Sequence, residues 1–504
     1  MTTDYKKISS QIATGAGWTV LMRVGVRFIG VISTIVLARV LVPADFGLVA
    51  LAMLLVTAVE VMSEFNFEVY LIRDQKAGRE MYDTVWSLTI IRGAVMGLLM
   101  IGLAGPAAGF FDDPRIEQIV YLLAAITFLE SLQNVGIVDF RKHMQFDRDF
   151  VFMFTAKIVA FTATIALALW LRSYWALVIG TMSERIVRLL LSYRMHPFRP
   201  RWSLTGWHEI LSFSSWLLFN NFLNFIYTRS DTFFIGKIIG TTSVGLYSVA
   251  YEISNLATTE IVAPIRRAIF PGYAKMADDP DLMRQGYLDV LSVTLLVTAP
   301  VAAGIGLIAD PFVRVILGEK WLAAIPLIQV LAIYGLVSIA WSNTAPLFLA
   351  LGRPKVVTLF LGIGVIVILP SLYYGVSEAG ALGGALAITF SNFVILLVAV
   401  FQVVLSLDLS LGQLARAIWR PLFGVAAMAI LVTLLHRILP ADVSFLASLW
   451  KLVLLSLVGA IVYVAATLGA WRLSGRPDGP EQQVLGLMSK GWAKVRRTSA
   501  DKQD

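Results

Sequence analysis

No cysteine occurs among the 504 residues, which excludes disulfides and thiolate metal sites and leaves the redox compartment open. Charge is also scarce, with Asp, Glu, Lys and Arg at 15% of the chain against about 25% in soluble domains. The four histidines, His143, His196, His208 and His436, show no metal-ligand spacing. There is no Walker A loop, no GxGxxG after a strand, no HExxH, and no recognisable constellation of serine, histidine and acid. These absences exclude an internal ATPase and an evident catalytic centre, and they call for no cofactor or metal. Any work across a membrane must then draw on an ion gradient, the membrane potential, or consumption of the product on the far side.

What the chain has in quantity is apolar surface. Hydrophobic residues make up 58% and the mean hydropathy is +0.77, beyond the range of soluble globular proteins. The composition predicts an all-α polytopic membrane protein. Taking apolar runs of about 18–25 residues as spans, about fourteen are expected, near 16–38, 44–66, 84–106, 116–138, 150–171, 174–195, 212–236, 244–266, 286–308, 322–342, 354–372, 380–405, 419–438 and 447–470. The first run is too long for a signal peptide and is followed at once by a second span. Loops on the N-terminal side hold most of the 41 basic residues, so the positive-inside rule predicts that both termini are cytoplasmic. The net charge of +8 is accounted for by topology and does not indicate nucleic-acid binding.

The chain restates itself. Residues 14–59 align without gaps on residues 212–257 at a constant offset of 198, placing Trp18 on Trp216, Thr34 on Thr232, Gly47 on Gly245, Leu48 on Leu246, Ala52 on Ala250 and Arg39 on Lys237. Two related halves of this kind are a common transporter design. The expected organisation is two pseudo-symmetric six-helix lobes, residues 1–195 (helices 1–6) and 212–405 (helices 7–12), joined by a cytoplasmic linker at 196–211. Helices 13 and 14 follow at 406–471, with a basic cytoplasmic tail at 472–504. In the tail, Val484, Leu485, Met488, Trp492 and Val495 fall at helical spacing opposite basic residues, which suggests a surface helix on anionic lipid.

The first half carries charge inside its spans. Arg23, Glu60, Arg92, Glu130, Lys157 and Arg185 each lie roughly 10–15 Å in from the cytoplasmic end of their own helix, one from each of the six helices. Charge at such depth is costly unless it meets water or a partner, so this layer implies an aqueous cavity or an ion-pair network. Arg23 with Glu60, and Arg92 with Glu130, match in depth on consecutive helices and admit a purely structural pairing. Arg27 and Lys157 show no evident carboxylate at their level, and Arg185 and Arg188 have the alternative of snorkelling to the surface. Glu64 follows Glu60 by one helical turn. In the second half, Arg229 and Asp231 on helix 7 lie at a depth similar to Glu252 on helix 8, and an Arg229–Glu252 pair is expected on the structural reading. Pro300 and Pro326 fall within spans, where proline permits a bend.

Three stretches carry a family resemblance: RSDTFFIGKIIGTTSVGLYSVAYEISNL at 229–256, LARVLVPADFGLVALA at 37–52 and IFPGYAKM at 269–276. They resemble bacterial polysaccharide transporters of the Wzx type, within the multidrug/oligosaccharidyl-lipid/polysaccharide exporter superfamily, over about residues 8–410. The resemblance implies a monomeric inner-membrane flippase for undecaprenyl-pyrophosphate-linked oligosaccharide. Its partners would be that glycan, membrane lipids and, beyond them, polysaccharide polymerase or export machinery. It implies cavity arginines at Arg23 and Arg27 first, with Arg92, Lys157 and Arg229 after them. Glu60, Glu130, Asp231 and Glu252 would form a charge network or coupling site. Some relatives bind sodium through an acid on helix 7, which Asp231 matches; helix 11 here has no acid, and Asn392 on helix 12 is the nearest polar candidate. Two other readings stay open: an ion-coupled exporter of drugs or small molecules on the same fold, and a membrane-embedded polysaccharide polymerase or ligase.

Overall fold

The computed structural model describes residues 2–63, 67–208, 215–439, 444–477 and 479–482. Glu64, linker residues 209–211, and the amphipathic stretch from Val484 to Val495 lie outside the described residues. No β-strand occurs among the described residues. In an apolar medium every backbone group must bond within its own segment, and helices achieve this without partner strands.

The chain divides into two compact units, residues 1–248 and 249–504. In the first, α1 (Thr2–Val40), α2 (Pro43–Met62), α4 (Arg79–Phe110), α5 (Arg115–Ser131), α7 (Phe146–Leu171) and α8 (Trp175–Met195) are joined by two short helices, α3 (Phe67–Arg73) and α6 (Val138–Lys142). Then come α9 (Ser215–Ile238) and α10 (Thr241–Ser254). Helix α2 starts where Pro43 and Asp45 suggest: proline occupies the first turn, and the Asp45 carboxylate accepts the Val42 N–H at 3.2 Å. This satisfies a donor that the helix leaves open.

The second unit contains α11 (Ala263–Met276), α12 (Pro280–Leu307), the single turn α13 (Ala309–Phe312), α14 (Ile325–Trp341), α15 (Thr344–Ala350), α16 (Pro354–Leu407), α17 (Leu411–Ile438) and α18 (Phe445–Leu473). Side chains tie them together at a few points. Tyr463 donates to the Leu296 carbonyl at 2.7 Å, Ser292 to the Ala417 carbonyl at 3.0 Å, and Trp341 to the Asn392 amide oxygen at 2.8 Å.

Nine of the described helices are long and apolar enough to cross a membrane, or ten if the bent pair formed by residues 115–131 and 135–142 counts as one span. The chain is therefore a multi-pass membrane protein. Of the other stretches read as spans, α8 and α9 carry too many polar groups to qualify by composition. Helix α16 covers two of those stretches in 54 residues, with non-helical backbone at Ala379 and Gly380. Gly380 adopts φ +62°, a conformation that favours glycine, and the arms on either side approach so closely that a Cβ on Gly375 would lie 2.6 Å from the Gly383 carbonyl oxygen.

Three details differ from the reading of the sequence. Helix 4 does not run straight to residue 138: it stops at Ser131, and the chain turns by 68°. Asn134 caps the new turn, its side chain accepting the Gly136 N–H at 2.9 Å and donating to the Phe198 carbonyl at 2.7 Å. Pro326 does not bend a span, because it sits in the first turn of α14, where the missing N–H removes no helical bond. Helix α3 occupies a stretch read as a loop, and Phe67 and Leu71 are buried against Tyr82, Val85 and Leu88 of α4.

Candidate functional site

A cavity of about 610 Å³ opens inside the first unit. Helix α2 supplies Glu60, α4 supplies Arg92 and Trp86, α5 supplies Glu130 and Ser131, and α8 supplies Arg185. Arg141, Glu68 and Asn134 line it from α6, α3 and the bend after α5. Four of the six charges in the intramembrane layer thus face one space, which an uninterrupted apolar core would not accommodate.

At Glu130 the pairing differs from the depth-matched one. Glu130 pairs with Arg185 of α8, and Arg92 donates through Nε to Ser63 Oγ at 3.3 Å. Lys157 does have a carboxylate at its level: Glu184, 3.2 Å away, which also accepts from Arg188 at 2.6 Å. Arg185 and Arg188 therefore join networks inside the bundle and do not simply snorkel outward. Arg141 bridges Glu68 at 3.5 Å and Asp149 at 3.4 Å near the short helices. Sequence reasoning left out Arg141 and the Glu184 link; the Glu184/Arg188 spacing, one turn apart, was the available signal.

The remaining expected residues are not among those that line this cavity. Arg23 and Arg27 are half-buried on α1, which packs on α7 through Trp18 against Phe150 at 5.2 Å. Arg229 is exposed, and Glu252 on α10 is half-buried. Asp231 is buried and held by a hydrogen bond from Tyr247 at 2.7 Å and one from its neighbour Thr232 N–H at 2.6 Å. Asn392 is engaged by Trp341 and donates to the Tyr334 carbonyl at 3.1 Å. Among the described residues no cluster of three or more His, Cys, Asp or Glu side chains is arranged to hold a metal ion.

At one end of the unit, α9 and α10 meet the turn between α4 and α5. Lys237 pairs with Asp112 at 3.2 Å and donates to the Phe110 carbonyl at 2.7 Å. Asp113 accepts from Thr241 at 3.2 Å and from Arg115 at 2.7 Å. The Arg115 hydrogen bond is the main reason that the Asp113 carboxyl is held below its ordinary value. At the other end, linker residues 196–205 lie along α4. The Arg201 N–H donates to Asp83 at 2.7 Å, the Ser203 N–H to Ser87 at 3.0 Å, and His196 faces Asp139 at 3.3 Å.

The fold is that of a multi-pass helical membrane protein with a charged cavity in its first unit, and comparison with known proteins gives its family. Residues 36–326 match the family described as polysaccharide biosynthesis protein, and the chain belongs to that family. It is 23% identical over 420 residues to the lipopolysaccharide biosynthesis protein WzxC of Escherichia coli (strain K12), covering 81% of this chain and 84% of that one. It is 25% identical over 327 residues to the succinoglycan biosynthesis transport protein ExoT of Rhizobium meliloti (strain 1021), covering 64% and 66%. In fold it is similar to the lipid II flippase MurJ in an inward closed conformation, with a TM-score of 0.71, 13% identity, and coverage of 90% of this chain and 99% of that one. A multidrug resistance MATE family transporter in an inward-facing conformation follows at TM-score 0.60 and 16% identity, covering 75% and 94%. These relatives are named for transport and for polysaccharide biosynthesis, and the chain is a transporter rather than an enzyme.

Proposed function

We propose that the chain is a flippase that carries undecaprenyl-pyrophosphate-linked oligosaccharide repeat units from the cytoplasmic to the outer face of the bacterial inner membrane, by alternating access. The observation that carries this reading is the cavity in the first unit, where Arg92 and Arg185 stand against Glu60 and Glu130 inside a bundle built to face lipid. An anionic, sugar-bearing headgroup needs a wet, hydrogen-bonding path, and arginine engages phosphate through several donors at once.

On this reading Arg23 and Arg27 meet the pyrophosphate first, with Arg92, Lys157 and Arg229 along its path. Glu60 and Glu130, with Asp231 and Glu252, balance the cations when no headgroup is present. The lobes are residues 1–195 and 212–405, and both termini are cytoplasmic. An inside-negative potential favours outward movement of the pyrophosphate by about 2.3 kcal/mol per charge per 100 mV if the charge crosses the whole field. The same fold also serves multidrug export, but a cation exporter calls for an acidic cavity, and this one is mixed.

Deletion of the gene with chemical readout tests the proposal. Complete repeat units should accumulate on the cytoplasmic face while surface glycan is lost. Single units reaching the outer face unpolymerised would point instead to a polymerase, and drug sensitivity with intact surface glycan to a drug exporter.

A further inference from the structure

Among the described residues, Arg420 and Glu481 form an ion pair in which both partners are almost completely buried, at 6% and 2% exposure. Arg420 sits on α17, roughly 14 Å along the helix from its first residue at 1.5 Å per residue. Glu481 comes from the segment that follows α18. The chain reverses there through two residues of positive φ, Gly475 at +82° and Arg476 at +55°, and Trp471 donates to the Pro477 carbonyl at 3.0 Å. Residues 479–482 then reach back, placing Glu481 Oε2 2.9 Å from Arg420 Nη1. The segment passes close to the guanidinium: a Cβ on Gly479 would lie 3.1 Å from Arg420 Nη2.

The fit is incomplete. Among the described residues Glu481 Oε1 is buried with no hydrogen-bond partner, so the carboxylate meets Arg420 with one oxygen only. A buried ion pair is weak evidence for stability, and its best-attested use is as a register or switch element. Trp419 and Phe423, flanking Arg420 on the same helix, are 42% and 51% exposed, as suits a surface against lipid. Arg416, one turn nearer the start of α17, is exposed and bonds the Gly412 carbonyl at 3.3 Å. Arg416 and Arg420 thus mark a cationic line running from the helix end into the bundle beside a lipid-facing aromatic surface.

We infer that Arg420 is an anion-binding site for the phosphate of a membrane lipid, and that Glu481 is its built-in occupant, displaced when such a lipid arrives. A phosphate presents several acceptor oxygens to the guanidinium fork, where Glu481 presents one. Displacement frees the C-terminal segment, so the site couples lipid occupancy to release of the tail. The shared chemistry is a lipid phosphate; an isoprenoid carrier lipid and a bulk anionic phospholipid are its two sources. The inference is independent of the flippase reading, and neither Arg420 nor Glu481 lines the charged cavity.

The absence of cysteine makes the test direct. Pro480→Cys places one thiol at a buried position next to Glu481 in the full-length protein, and its maleimide labelling rate reports undocking. In phosphatidylcholine nanodiscs labelling should be slow, and adding undecaprenyl phosphate or phosphatidylglycerol should accelerate it by about tenfold or more. Acceleration by undecaprenyl phosphate alone assigns the site to the carrier lipid; equal acceleration by both assigns it to anionic lipid in general. Combining Pro480→Cys with Glu481→Gln should give fast labelling without added lipid. Labelling that ignores both phosphate lipids, or that stays slow with Glu481→Gln, overturns the inference. Arg420→Lys keeps the charge but loses the planar fork, and should weaken the lipid response without removing it.

Discussion

Gly47 and Gly245 press their backbones together. A Cβ on Gly47 would overlap the Thr241 carbonyl oxygen and lie 2.8 Å from Gly245 N, while one on Gly245 would overlap the Pro43 carbonyl oxygen and lie 2.9 Å from Gly47 N. Pro43 and Thr241 are repeat counterparts, as are Gly47 and Gly245, so the contact is reciprocal in the manner of a two-fold interface. Small residues permit this approach of helix backbones, as in other membrane helix pairs. The contact thus joins positions that the alignment at offset 198 pairs with each other.

Gly47→Ala and Gly245→Ala should each destabilise the protein by about 1–3 kcal/mol through overpacking. Gly102→Ala is the control, because a Cβ there meets nothing within 4 Å. Thermal unfolding of the purified variants checks this. Equal stability of Gly47→Ala and Gly102→Ala would show that the crossing yields freely.

Arg185 and Glu130 should be energetically coupled. Each of Arg185→Ala and Glu130→Gln strands a charge in the cavity and should reduce export. The double variant should lose less than the sum of the single losses, with a coupling of about 1–2 kcal/mol in stability. A double-mutant cycle on unfolding, run beside surface-glycan measurement, provides the readout. Additive effects would deny the pair.

Glu184 serves two cations, Lys157 and Arg188. Glu184→Gln leaves both unpaired with it, whereas Lys157→Met leaves the Arg188 pair intact. The first should therefore lower folded yield in membranes more than the second, on a scale of about 2.5–3.5 kcal/mol for a cation left at depth. Fluorescence size-exclusion of the two variants decides the order.

The linker strap should loosen in acid. Burial pushes the His196 imidazole below its ordinary value of 6.5, against the opposing pull of Asp139. The unfolded strap therefore takes up a proton before the docked one as pH falls, so docking weakens below about 6.5 and is fully present above it. Hydrogen exchange of residues 198–205, corrected for intrinsic rate, should be faster at about pH 5.5 than at about pH 7.5. His196→Asn should flatten that dependence.

Hydropathy was enough to read the helical membrane class, since apolar runs of span length have few other uses. The start of α2 was legible because Pro43 and Asp45 act within one turn. The bend after Ser131 was not, because it depends on Asn134 reaching Phe198, sixty-four positions away. The partner of Glu130 was illegible for a similar reason: depth along a helix can be counted from sequence, but the direction a residue faces is set by packing. Glu130 thus looked suited to Arg92 and is paired with Arg185 on α8. Arg420 escaped notice because its partner belongs to the tail, beyond the last helix.

Transport by the purified chain is the most direct test of the account. Proteoliposomes carrying undecaprenyl-pyrophosphate-linked oligosaccharide in one leaflet, probed with a membrane-impermeant glycan-modifying reagent, report the appearance of headgroups on the other side. The account predicts translocation by the wild-type chain and its loss in the Arg23→Ala, Arg27→Ala double variant with the fold intact. Wild-type translocation by that variant would contradict the role given to these arginines, and no translocation by the correctly folded wild-type chain would contradict the flippase itself.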